Sequence, residues 1–179
     1  VRNAVLSALV LVLVAANAGI ARAHDWWYWH WSGKDMRVFI GNYTAQAEAA
    51  RSDWAAHTRL TLKRGPPQSE IVVFGDDWGP TQWSGLATVE AFGAAWPWQC
   101  GGAAWCRILR ARARYNAFYK PADEPEPAYV QGIFCQELGH TFGLAHSDSD
   151  DCMGKGYFPG SSHRNASGPH SWADVNGRY

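Results

Sequence analysis

The sequence predicts a single α+β domain, and three observations carry that prediction. Its 179 residues are the size of one domain. Short apolar or alternating runs of strand character fill residues 36–115, with one helical stretch among them. A longer helix is expected at 129–143, where Val130, Phe134, Leu138 and Phe142 recur at four-residue steps and so line one core-facing side. Neither an internal repeat nor a second domain is apparent in the sequence.

The elements follow in order. Residues 36–40 form a short apolar strand. Thr44 can cap a helix that runs to about residue 56, rich in Ala and carrying Trp54 as its large packing residue. Residues 58–63 alternate polar and apolar, and Gly65-Pro66-Pro67 ends the run. Residues 71–74 are continuously apolar and stop at Gly75-Asp76-Asp77, as a buried central strand would. Further strands are expected at 86–91 and at 107–115, where Arg alternates with apolar or small residues. Residues 121–127, with Asp123, Glu124 and Glu126 among prolines, read as a loop, and a last helix is expected from about Trp172.

The N-terminus reads as a secretory signal peptide: Arg2, an apolar run over 4–16, then Ala21-Arg22-Ala23 as an A-x-A cleavage site. The run is too short for a membrane anchor. Cleavage after Ala23 leaves one domain over 24–179, secreted, and Val1 read as a translated GTG start points to a bacterial source. With 16 basic and 16 acidic residues the chain lacks the positive excess that general nucleic-acid binding requires.

The chemistry is concentrated in Cys135-Gln136-Glu137-Leu138-Gly139-His140-Thr141-Phe142-Gly143-Leu144-Ala145-His146. Against the pattern H-E-x-x-H-x-x-G-x-x-H it matches at Glu137, His140, Gly143 and His146, with Gln136 in the first histidine position. Residues four apart share a helix face, so Gln136 and His140 can converge on one ion. Glu137 lies one residue round and can instead deprotonate a metal-bound water. Gly143 permits the positive φ of a sharp helix stop, which would return His146 as a third ligand and leave a fourth position open.

These residues resemble the metzincin clan of zinc endopeptidases, the matrixin- and astacin-like superfamily, in a Gln-for-His variant. The resemblance implies a zincin fold: a twisted mixed β-sheet above a cleft, the active-site helix, a Met turn with Met153 in Cys152-Met153-Gly154, and a C-terminal helix. It implies one catalytic Zn2+ held by Gln136, His140 and His146, with Glu137 as general base. Its implied substrate is a peptide or protein, laid along an edge strand for which Gly85-Leu86-Ala87-Thr88-Val89 is the candidate, an interior strand being the alternative. Tyr157 is a candidate oxyanion stabiliser, although it stands further beyond Met153 than the family pattern places a Tyr. A neutral amide is a poorer zinc donor than imidazole, so weaker metal retention is expected at Gln136.

All four cysteines follow the leader, and an even count in an exported chain reads as two disulfides. Of the three pairings the preferred one is Cys100–Cys106, around a local glycine-containing loop, with Cys135–Cys152, tying the active-site helix to the Met turn. The alternative makes cysteines metal ligands beside His140 and His146. Asp148, Asp150 and Asp151 can hold Ca2+ or replace Gln136 as an oxygen ligand; a solvated acidic loop is the plainer reading. Eleven tryptophans include those of Trp26-Trp27-Tyr28-Trp29-His30-Trp31, which either pack behind the sheet, cap the cleft or stack on sugars. The expected molecule is thus a secreted, monomeric zinc endopeptidase. Its rivals are a catalytically inactive relative that binds peptide and a cell-wall or glycan-binding protein.

Overall fold

The computed structural model describes residues 29–93, 106–120, 126–155 and 165–179. Its described elements are β1 (Trp29–His30), β2 (Asp35–Ile40), α1 (Thr44–His57), β3 (Thr61–Arg64), β4 (Ile71–Asp76), β5 (Gly85–Phe92), β6 (Cys106–Asn116), α2 (Glu126–Thr141) and α3 (Pro169–Arg178). A mixed sheet runs β1-β6-β4-β2-β3, with β5 added along β6. The β1–β6, β2–β3, β2–β4 and β4–β6 pairs are parallel, and β5 alone is antiparallel to its neighbour.

The order explains the patterns. Ile71, Val72 and Val73 are buried because β4 lies between β2 and β6. Met36, Val38 and Ile40 alternate inward on β2, as do Ala111, Ala113 and Tyr115 on β6. Small residues on β6 make room for α2, which packs on β5 and β6 with one side and on α1 with another. The helix is therefore buried almost all round from Tyr129 to Thr141, not along one stripe. Trp54 of α1 is fully buried against Phe142, and its indole N–H donates to the Cys135 carbonyl at 2.9 Å.

Two local expectations need correction. Thr44 does not cap α1: the preceding Tyr43 sits in the left-handed region at φ 48°, with no side-chain cap. Its ring is held against Tyr115 and Phe134, so core packing fixes residue 43 and overrides the local capping preference. Glu126 and Pro127, expected in a loop, form the first turn of α2, where proline's missing N–H costs no helix bond.

β5 lies at the sheet edge among the described residues. The Asn116 N–H donates to the Ser84 carbonyl at 2.8 Å, and Leu86 pairs with Arg114, Ala87 with Ala113. Antiparallel pairs alternate, so Ser84, Leu86 and Thr88 turn their backbone groups to β6. Gly85, Ala87 and Val89 turn theirs to the free edge.

The end of α2 is closed with unusual completeness. Gly143 has φ 94°; its N–H donates to the His140 carbonyl and that of Leu144 to the Gly139 carbonyl, the paired bonds of a Schellman stop. The next carbonyls are capped from far away: Thr141 by the Trp31 indole at 2.8 Å and Phe142 by the Tyr179 hydroxyl at 2.7 Å. Gly143→Ala should cost about 1–2 kcal/mol, because an L side chain is disfavoured at this φ, and should be read by urea unfolding. Among the described residues no helix is long and apolar enough to cross a membrane.

Candidate active site

Gln136, Glu137 and His140 lie within one turn of α2, 8%, 4% and 5% exposed. The Schellman stop then reverses the chain and returns His146, which is exposed, to His140. The two Nε2 atoms stand 3.1 Å apart with the rings at 68°. His140 Nδ1 lies 2.8 Å from the Leu144 carbonyl. A carbonyl oxygen only accepts, so Nδ1 carries the proton and Nε2 presents its lone pair to His146.

That arrangement suits a proton or a cation between the rings. With a proton on His146 Nε2 it is a neutral hydrogen bond. With both nitrogens unprotonated, two lone pairs face each other and call for a positive ion. Two imidazole nitrogens on one tetrahedral zinc, each about 2.0–2.1 Å from it, stand roughly 3.3 Å apart, close to the observed separation. The Leu144 carbonyl supplies the outer hydrogen bond that orients a ligating histidine. Among the described residues no three His, Cys, Asp or Glu side chains gather to hold a metal. Gln136 stands one helical turn before His140 on the same face of α2 and carries an amide oxygen.

Glu137 is directed to the sheet edge. The Ala87 backbone N–H hydrogen-bonds its carboxylate. Burial pushes this carboxyl up to about 8, against the opposing pull of that N–H and of the Arg114 guanidinium. A proton acceptor balanced near neutrality suits general-base work.

Beneath the helix lies Met153, fully buried. A Cβ on Gly139 would meet its Sδ at 2.2 Å and Trp54 Cζ2 at 3.1 Å, so Gly139 is glycine because the thioether packs on the backbone next to His140. The loop holding Met153 closes on itself: Ser147 N–H donates to the Met153 carbonyl and Lys155 N–H to that of Ser147. Asp151 ties this loop to α3. Its Oδ1 accepts from Met153 N–H and Ser149 Oγ, and its Oδ2 from Gly168 N–H and Ser171 Oγ. These four bonds fill a carboxylate's lone-pair sites, so Asp151 is a structural brace with none left for an ion. Asp148 is exposed beside Lys155. The Cys135–Cys152 disulfide joins α2 to the same loop, with its Cα atoms 5.9 Å apart.

Several expected features fall outside the described residues: Tyr157, Cys100, the leader over 1–23, and Trp26 to Tyr28. Cys106 is disulfide-bonded. Of the aromatic N-terminal segment, Trp31 is buried and Trp29 packs against the core's margin. Sequence reading missed the cap made by Trp31 and Tyr179, the brace at Asp151 and the contact of Glu137 with β5. The only local signal for the last was a glycine opening a strand otherwise rich in side chains.

No protein-family model and no curated protein matches the chain. Among solved structures it is similar to two of myroilysin, each at 10% identity and TM-score 0.39. The matches cover 65% of this chain and 46% and 44% of those chains, so it spans less than half the length of either. So remote a likeness does not bear on chemistry.

Proposed function

We propose that this chain is a secreted zinc-dependent endopeptidase of metzincin-like fold. The observation that carries the reading is the His140–His146 pair, with Nε2 atoms 3.1 Å apart and the His140 tautomer set by the Leu144 carbonyl. Gln136, His140 and His146 would hold the ion. Bound there, zinc would acidify a water and polarise the scissile carbonyl. Glu137 would serve as the general base, taking a proton from the attacking water and returning it to the leaving amine. The side of β5 turned away from β6 offers the backbone groups of Gly85 and Val89 and the carbonyl of Ala87, on which an extended peptide can align. A sheet edge reads backbone, so the substrate is a peptide stretch in extended form. Met153 supports the helix from below without touching the chemistry.

One feature favours a second reading, an inactive peptide-binding relative: the third donor is an amide, and no cluster of three His, Cys, Asp or Glu stands in for it among the described residues. Zinc stoichiometry of residues 24–179, after dialysis against metal-free buffer and again with zinc supplied, separates the two. One zinc per chain, lost in His140→Ala, supports the peptidase; no zinc even when supplied sinks it.

Gln136 has its own expected outcome. Gln136→His should tighten zinc binding by about 10- to 100-fold or more, since imidazole replaces a weaker donor, and Gln136→Ala should loosen it. Competition against a chromophoric chelator reads both, and no change in either variant means that another group completes the site.

A further inference from the structure

We infer that Gly85 and the Ala87 amide form a seat that fixes the direction of the Glu137 carboxyl, which makes Gly85 a positioning residue for the general base. The inference rests on the reading of Glu137 given above. Three observations converge on it. A Cβ placed on Gly85 would lie 2.3 Å from Glu137 Oε1, 2.9 Å from its Cδ and 2.7 Å from Ile133 Cγ2. None of these distances leaves room for a side chain in a packed interior. The Ala87 N–H, two residues on, points to the free edge by the alternation of the β5–β6 ladder and hydrogen-bonds the same carboxylate. Ile133 stands one helical turn before Glu137, so the strand fits over a shallow step made by two side chains of α2.

The seat has a chemical use. A glutamate has three side-chain torsions, and a base must meet its water in one narrow orientation. Here the strand backbone above takes away that freedom: Gly85 lets the carboxyl come up to the strand, and Ala87 anchors it there. Because Ala87 faces the free edge, the anchor lies on the line along which an extended peptide would pair. The group that moves the proton and the backbone that aligns the substrate then share one strand as their reference.

A double-mutant cycle tests the seat without relying on activity. Gly85→Ala should lower the thermal unfolding midpoint by roughly 3–10 °C. In a Glu137→Ala background the nearest obstruction is gone and only Ile133 remains, so the same change should cost less than half as much. An equal loss in both backgrounds overturns the proposal. If Gly85→Ala alone does not fold, recovery of a cooperative transition in the double variant supports the seat and continued failure overturns it. In the zinc-loaded protein, peptide hydrolysis by Gly85→Ala should show kcat down about 10- to 100-fold with KM and zinc content unchanged. An unchanged kcat also overturns the seat. Absence of hydrolysis in the unaltered protein defeats the peptidase reading, and the stability cycle still decides on the seat.

Discussion

Glu137→Gln should abolish chelator-sensitive peptide cleavage, lowering kcat/KM by about 10²–10⁴-fold, while the chain still binds one zinc. The substitution keeps the side chain's size and its capacity to accept the Ala87 N–H, so the strand seat and the fold survive. What it removes is the basic oxygen, and an amide cannot take a proton from water near neutral pH. Zinc content by mass spectrometry and hydrolysis of a peptide library, measured on one preparation, give both halves of the expectation. Activity at the unaltered level with zinc bound would exclude Glu137 as the base and shift attention to His146, the exposed member of the pair.

The second large effect concerns the disulfide. Replacing both Cys135 and Cys152 with Ala should destabilise the protein by about 3 kcal/mol, the loop-closure contribution of a cross-link between residues 17 apart. Guanidinium unfolding of the variant, beside the unaltered chain with and without reductant, measures it. A matching loss of zinc affinity is expected. The bond fixes the loop carrying Met153 to α2 one residue before Gln136, and the thioether of Met153 rests on Gly139, next to His140. Destabilisation without any change in affinity would mean that the loop supports the fold and not the ligands.

How far these features could be read beforehand depends on whether they are local. The strands around Val38 and Ile71–Val73 declare themselves because a buried strand must be apolar, and their neighbours in the sheet hardly matter. The approach of His146 to His140 is equally legible, since a helix, a glycine with positive φ and a fixed count of residues determine it. Tyr43 is not legible: its left-handed backbone is settled by Tyr115 and Phe134, which arrive from β6 and α2. The surroundings of Glu137 are hidden for the same reason, because the strand that seats it lies far upstream and nothing near residue 137 announces a glycine at 85. Whether β5 was edge or interior also turned on which strands β6 accepts as partners, a property of the whole sheet.

The two long-range caps on α2 bear on when the site can exist. Trp31 is made long before Thr141 and is ready for it, but Phe142 waits for Tyr179. A nascent chain holds the helix and both histidines well before Tyr179 has emerged from the ribosome, yet the helix end that orients them is still open to water. Contacts of such separation close late in folding. The disulfide beside them forms only in an oxidising compartment. The chain therefore has a built-in delay: the residues that would hold the metal are made early but locked into place last, once Tyr179 has been added and the disulfide has closed.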